Sequence, residues 1–361
     1  MHWHWLHPLI ARPGLGVACL ALAGLVALAV DRLWGEPPAR WHPVVWMGKA
    51  LAWLGRRIAP AQPTGRDLKC FWLGALAWCA LAAIVLIVAA LLQAAALYAW
   101  GAPTEVCSVV VDVPGLGLEG ASAVVGVLRL LLAALLLGLL LKPLFALSLL
   151  LHEARAVEDA LARSLDAGRA RLAWLVSRDV SQLSADEVRQ SAIESLAENL
   201  NDSVVAPLFW FAVAGLPGAA LYRLANTADA MWGYRGMRDG RYWEWAGKWA
   251  AHADDALSWL PARITALLLA LAGRGVRLRA LAREARRTPS PNSGWPMAAM
   301  ALALGVRLSK PGVYQLHARG REPSALDAWR ARRLAVRVSR SIAFAAVLTV
   351  SLIAMEGAFS A

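Results

Sequence analysis

The sequence is short of charge. Only 17% of its 361 residues are Asp, Glu, Lys or Arg, against about 25% in soluble globular proteins, and that deficit excludes an ordinary soluble enzyme. Acidic residues are the scarcer sign, 25 against 37 basic. The excess does not mark a nucleic-acid binder, because the arginines fall in loops between apolar runs, where orientation in a bilayer accounts for them. Cysteine is sparse as well. Cys19, Cys70, Cys79 and Cys107 form no Cys-x-x-Cys pair, so neither a disulfide framework nor a zinc site is expected. No G-x-x-x-x-G-K-[ST] loop occurs, and a nucleotide must therefore be held by another device. The run Gly115-Leu116-Gly117-Leu118-Glu119-Gly120 matches G-x-G-x-x-G only superficially, since a membrane span follows it and no ribose-binding carboxylate stands at the usual distance.

Apolar length is what the chain has in abundance: 59% of residues are hydrophobic and the mean hydropathy is +0.49. About 20 such residues in a row suffice for one helical crossing. The expected fold class is all-α, a polytopic helical membrane protein with broken or re-entrant helices and cytoplasmic amphipathic helices, built as one integral membrane domain over 1–361. Residues 14–30, 71–100, 124–151 and 341–355 read as spans. Residues 203–224 and 256–272 are either spans or re-entrant segments, because Gly215-Leu216-Pro217-Gly218 interrupts the first and Pro261 with Arg263 the second. The first run reads as a span although Ala27-Leu28-Ala29 mimics a signal-peptide cleavage site, since only Arg12 precedes it.

Loop charge orients these segments. Residues 31–70 carry seven basic groups, whereas 101–123 carry none and include Glu105, Asp112 and Glu119. By the positive-inside rule the first loop is cytoplasmic and the second external. Six arginines in the helical segment 152–202 and fifteen basic residues in 273–340 place those stretches in the cytoplasm too. His2, His4 and His7, interleaved with Trp3 and Trp5, read as interface anchoring.

The polar residues then stand out. Ser184-Ala185-Asp186-Glu187 reads as a capping box that starts a helix through QSAIESLAEN. Along it Glu194, Glu198 and Asp202 recur every fourth residue and share one face, spread over about 80° of arc. Like charges at that spacing repel, and no basic residue stands three or four places from either glutamate to relieve them. Either the stripe is solvated, or, with Asn199 and Asn201 beside it, it supplies hard oxygen ligands of the kind magnesium shares with water and phosphate. Asn226 and Asp229 lie one helical turn apart, and His252, Asp254 and Asp255 follow. Adjacent aspartates point in different directions, so one of the pair is expected to join a site. Arg263 stands inside an apolar stretch, where a guanidinium needs a carboxylate or phosphate partner unless it snorkels. Trp41-His42-Pro43 and Ser290-Pro291-Asn292-Ser293-Gly294 are, by themselves, turn signals.

Taken together, DRLWGEPPARWHPVVWMG, SRDVSQLSADEVRQSAIESLAENLNDSVVAPLFW, YRLANTADAMWGYR, DDALSWLPARITA and SPNSGWPMAAMALALGVRL resemble, in that order, the adenosylcobinamide-phosphate synthase family, the CobD/CbiB membrane proteins of cobalamin biosynthesis. Family members usually read Asp-Gly where this chain has Asp202-Ser203, often Gly-Asp-Pro at Gly35-Glu36-Pro37, and frequently glutamate at Met297, so no role is carried over to position 297. The resemblance implies an ATP-dependent amide ligation joining a carboxylate of adenosylcobyric acid to aminopropanol phosphate or a related amino alcohol, with Mg2+. Under it Glu194, Glu198 and Asp255 are the candidate catalytic groups. Glu194, Glu198, Asp202, Asp229 and Asp254 are the candidate metal ligands, and His42, Arg178, Asn199, Asn226, Arg263 and Asn292 the candidate substrate and phosphate contacts. The implied partners are the corrinoid, the amino alcohol phosphate, the bilayer of the inner (plasma) membrane, and a second copy or another membrane enzyme of the pathway, with no nucleic acid. A membrane sensor related to β-lactamase induction and a helical transporter are the competing classes. The intact carboxylate motifs disfavour the first. The cytoplasmic clustering of polar residues and the lack of an internal repeat disfavour the second.

Overall fold

Apolar sequence becomes helix almost everywhere in the computed structural model, which describes residues 13–101 and 118–359. The histidines at 2–7, Cys107 and the start of the glycine run at 115 lie outside those residues. The helices are α1 Pro13–Trp34, α2 Pro43–Ile58, α3 Leu68–Gly101, α4 Leu118–Leu141, α5 Leu147–Leu161, α6 Leu165–Leu172, α7 Ala185–Leu200, α8 Ala206–Trp232, α9 Lys248–Gly273, α10 Leu278–Ala285, α11 Gly294–Leu304 and α12 Ala325–Phe359. Two small antiparallel hairpins complete the architecture, β1 Met237–Arg238 with β2 Arg241–Tyr242, and β3 Leu308–Lys310 with β4 Tyr314–Leu316. Among the described residues six helical stretches are long and apolar enough to cross a membrane: Gly14–Trp34, Leu68–Tyr98, Val124–Leu161, Ala185–Trp232, Lys248–Gly273 and Ala325–Glu356. The protein is thus an all-α polytopic membrane protein, as its composition requires.

Small residues set the closest helix approach. Cys19, Ala23 and Ala27 of α1 are fully buried, and a Cβ on Gly138 of α4 would strike Val26 and the Ala23 carbonyl. In an apolar solvent such close packing is what holds helices together. A second core joins α2, α3, α8 and the segment before α9, where Trp232 and Trp243 stack 6.0 Å apart.

Three boundaries differ from the sequence reading. The run 124–151 is not one continuous helix: α4 stops at Leu141, a 3-10 turn covers Lys142–Leu144, and α5 begins at Leu147. Pro143 lacks an N–H and its ring obstructs the preceding carbonyl. The Ala146 N–H turns instead to the Ser203 carbonyl at 2.9 Å, and Asp31 of α1 accepts from the Ser148 N–H at 2.8 Å, capping α5 from another helix. Pro261, expected to break 256–272, sits inside a continuous α9. The Leu257 carbonyl that it leaves without a helical donor accepts the Trp210 indole N–H at 3.0 Å. The apolar run 341–355 is only the far part of α12, which is 35 residues long.

The break at Gly215 occurs as expected. Ala214 and Gly215 leave helical geometry inside α8, with Gly215 at φ 65°. The freed Leu216 N–H donates to Oε1 of Gln93 at 2.7 Å, a polar side chain of the otherwise apolar α3.

Candidate active site

The capping box is formed: Ser184 and Glu187 bond reciprocally at the start of α7. It fixes the rotation of that helix, and the acidic face turns inward. Glu194 is only 5% exposed, which rules out the solvated stripe. Its counter-charge is supplied from the preceding loop, where Arg178 Nη2 lies 3.6 Å from Glu194 and 2.5 Å from Ser191 Oγ. Together Arg178, Glu194, Glu198, Asn199, Lys310 and Tyr314 face a polar cavity of about 240 Å³. Asn199 is held by donation to the Ser195 carbonyl at 2.9 Å.

Lys310 and Tyr314 were not legible as site residues. They pair across the β3–β4 hairpin, whose turn has Pro311 and then Gly312 at φ 71°, closed by the Val313 N–H donating to the Lys310 carbonyl at 3.0 Å. That is a type II turn, and Pro-Gly between two extended segments is its sequence signal. Gln190 of α7 anchors the hairpin by accepting from Ser309 Oγ at 2.6 Å. Burial, with Glu194 and Glu198 facing it, pushes the Tyr314 phenol up, so it stays a neutral donor. Its O–H points at Met297 Sδ, 3.7 Å away.

Beyond α7 the helix widens into one π turn, Asn201–Val205, closed by the Ala206 N–H onto the Asn201 carbonyl. Such single-turn bulges re-aim side chains and recur at functional sites. Here the bulge carries Asp202 against α8: Asn201 Nδ2 donates to Asp202 Oδ1 at 2.7 Å, and Tyr222 O–H approaches the same oxygen at 3.5 Å. Arg223 Nη1 reaches the Asp202 carbonyl, Ser203 Oγ and Asn226 Oδ1, each at 3.4 Å. Asn226 lies within reach of both Asp202 and Asp254. The charge around Glu198 comes from Asp202, Glu194, Lys310 and Asp229. One acidic row therefore runs from the α7 cavity to the start of α9, faced by Arg178, Lys310 and Arg223. Arg223 was legible in principle, as an ionisable residue inside an apolar run.

The paired aspartates diverge as adjacent helical positions must. Asp254 faces the row, while Asp255 meets the loop before α11, where Asn292 Nδ2 donates to the Asp255 carbonyl at 2.8 Å and to its Oδ1 at 3.3 Å. Arg263, expected at a phosphate, contacts the loop before α11. Its guanidinium donates to Asn292 Oδ1 at 2.9 Å, the Trp259 carbonyl at 2.6 Å and the Pro291 carbonyl at 3.3 Å. It lies between the rings of Trp259 and Trp295. These bonds from Nη1 and Nη2 position Asn292.

His42 stands in a network of its own. Its Nε2 lies 3.2 Å from Glu36 Oε2, Lys142 Nζ bonds Glu36 Oε1 at 2.9 Å, and the same ammonium lies 3.1 Å from Asp31 Oδ1. Burial raises the Glu36 pKa, but the hydrogen bonds from His42 and Lys142 and their charge outweigh it and hold the carboxyl below its ordinary value. The field of Glu36 reaches Arg223, which links this network to the acidic row.

The five carboxylates proposed as joint metal ligands do not converge. Among the described residues no three of His, Cys, Asp or Glu form a metal-ready group. Glu194 Oε1 and Asp254 Oδ1 are buried with no hydrogen-bond partner, and magnesium is commonly held by one or two carboxylates plus substrate phosphates.

Fold and site define an integral membrane protein with an internal, charge-lined site between its helices. The chain matches the family model described as CobD/Cbib protein over residues 24–344. It is 38% identical over 299 residues to the probable cobalamin biosynthesis protein CobD of Methanothermobacter thermautotrophicus, covering 81% of this chain and 85% of that one. It is also 38% identical over 348 residues to the cobalamin biosynthesis protein CobD of Chromobacterium violaceum, covering 93% and 97%. A stretch of 181 residues, 49% of this chain and 56% of its counterpart, is 48% identical to the protein of that name from Rhodobacter capsulatus. The chain belongs to the CobD/Cbib family. No solved structure matches it.

Proposed function

We propose that the protein acts in cobalamin biosynthesis as an ATP-dependent amide-forming enzyme, joining a side-chain carboxylate of adenosylcobyric acid to aminopropanol phosphate or a related amino alcohol. The observation that carries this reading is the inward-facing acidic row of buried Glu194 and half-buried Glu198, Asp202, Asp229 and Asp254, facing Arg178, Lys310 and Arg223. A carboxylate is a poor electrophile, and phosphoryl transfer from ATP makes it an acyl phosphate while ADP leaves. The amine then attacks the acyl carbon, phosphate departs with one former carboxylate oxygen, and the amine gives up its proton. Magnesium, when bound, would supply positive charge to neutralise that developing on the transferred phosphoryl group. Glu194 and Glu198, which line one cavity, are the groups that would hold it. Arg178 and Lys310 offer phosphate contacts at the cavity, and Asn199 and Asn226 orient bound oxygens. In this reading Glu198 accepts the proton of the attacking amine. Asp255 acts through Asn292, and His42 through Glu36 and Lys142.

The working location is the plasma membrane with the site on its cytoplasmic side, where ATP is found. Adenosylcobyric acid labelled with 18O in its carboxylates tests the chemistry. Activation by phosphorylation transfers one 18O to inorganic phosphate for each amide formed. Unlabelled phosphate beside normal amide yield contradicts the acyl phosphate route.

A further inference from the structure

Away from the acidic row, α1, α5 and α12 line a solvent-open basic cleft of about 560 Å³. Arg32 comes from α1, Arg155 from α5, and Arg332, Arg333, Arg337 and Arg340 from α12; no acidic side chain lines it. Little of this charge is answered within the chain. Arg155 has an exposed partner in Asp159, Arg337 donates to the Ala272 carbonyl, and Arg333 covers the Trp329 ring. Among the described residues Arg32, Arg332 and Arg340 have no carboxylate within ion-pair distance, and Arg332 Nε is buried without a partner. Seen from the protein alone, six arginines drawn together around a cavity repel one another, and an anion relieves them.

Two of these helices, α1 and α12, together with α8 and α9, line an apolar groove of about 390 Å³. On α1 the lining passes from Arg32 to Leu28, Gly24 and Val17, and on α12 from Arg340 to Ser341, Ala345 and Thr349. The two helices run antiparallel, with Gly14 near Ile353 at the far end. We propose that this is a built site for one anionic phospholipid, its phosphate headgroup among the arginines and an acyl chain along the groove. A phosphate-bearing ligand is what the arginines select, by fork geometry and charge. The groove commits the occupant to lipid, since a free phosphate or a nucleotide has nothing to place there. Basic pockets between membrane helices are a known physical solution for holding such headgroups.

Native mass spectrometry of the full chain, released from phosphatidylcholine membranes containing phosphatidylglycerol, reads the occupancy directly. The expected result is one retained phosphatidylglycerol that excess inorganic phosphate and MgATP do not displace. Arg332→Gln with Arg340→Gln should weaken retention by about thirtyfold, from roughly a factor of five per lost charge. Arg332→Lys with Arg340→Lys keeps both charges, should retain most of the lipid, and separates loss of the site from misfolding, as does the helical circular dichroism of each variant. Equal retention by the folded glutamine variant overturns the proposal. So does displacement by inorganic phosphate or by MgATP, which reassigns the pocket to a soluble anion.

Discussion

Glu198 is the residue on which the acidic row turns, because it lines the α7 cavity and shares its field with Glu194, Asp202 and Asp229. Glu198→Gln keeps the shape and removes the charge. Its expected effect is a fall in amide formation of at least about 100-fold, the scale of losing one aligned electrostatic group, with membrane assembly unchanged. Full activity in a steady-state assay returns Glu198 to a structural role. Arg263→Lys tests a different kind of residue. Lysine keeps the charge but loses the fork that joins Asn292 to two backbone carbonyls. A lower melting temperature and a fall in activity that is not rescued by saturating ATP are expected; a rise in the KM for ATP alone would instead restore the phosphate contact. Glu36 provides a pH signature. Its carboxyl is held below its ordinary value, so its contribution is present above the unfolded pKa near 4.5 and is lost as pH falls through the lower, folded value. Glu36→Gln should lower stability by roughly 1–3 kcal/mol at neutral pH. The difference from the unmodified protein should shrink in acid, as thermal unfolding in detergent at stepped pH will show.

Elements differ in how openly the sequence announces them. The α7 start was legible because the capping box is local chemistry, and the α8 break because glycine and proline cluster there. Pro143 and Pro261 have the same intrinsic effect, and tertiary partners decide what becomes of each. Around Pro143 the chain reconnects to Ser203 and Asp31 and the helix ends. At Pro261 the indole of Trp210 takes the freed carbonyl and the helix continues. No window of sequence contains both partners. The π turn at Asn201–Val205 is silent for the same reason, although it aims Asp202. Gln93 gives the element-scale test. Gln93→Leu leaves the Leu216 N–H without its acceptor, and a loss of about 1–3 kcal/mol is expected. Unchanged thermal unfolding of that variant would mean the kink at Gly215 is satisfied elsewhere.

At the scale of the molecule, composition alone fixed the class, because a chain this apolar and this poor in charge has no soluble core to build. Among the described residues, the six membrane-length helical stretches were legible as four apolar runs and two interrupted ones. The site was legible where it lay along one helix, at Glu194, Glu198 and Asp202. It was not legible where distant segments meet, as at Lys310 and Tyr314, or where Lys142 meets Asp31 and Glu36. Orientation follows from loop charge: a single cysteine near Glu119 should be labelled from outside and one near Asp166 spared, and the reverse pattern would overturn the charge argument.

The central claim is amide ligation, and it is tested most directly by giving the purified, membrane-reconstituted protein adenosylcobyric acid, aminopropanol phosphate and MgATP and following the corrinoid by mass. The expected product is the corrinoid plus the amino alcohol phosphate less one water, formed only when all three substrates are present and absent with Glu198→Gln. A corrinoid whose mass is unchanged under those conditions, from protein that is folded and inserted, would contradict it.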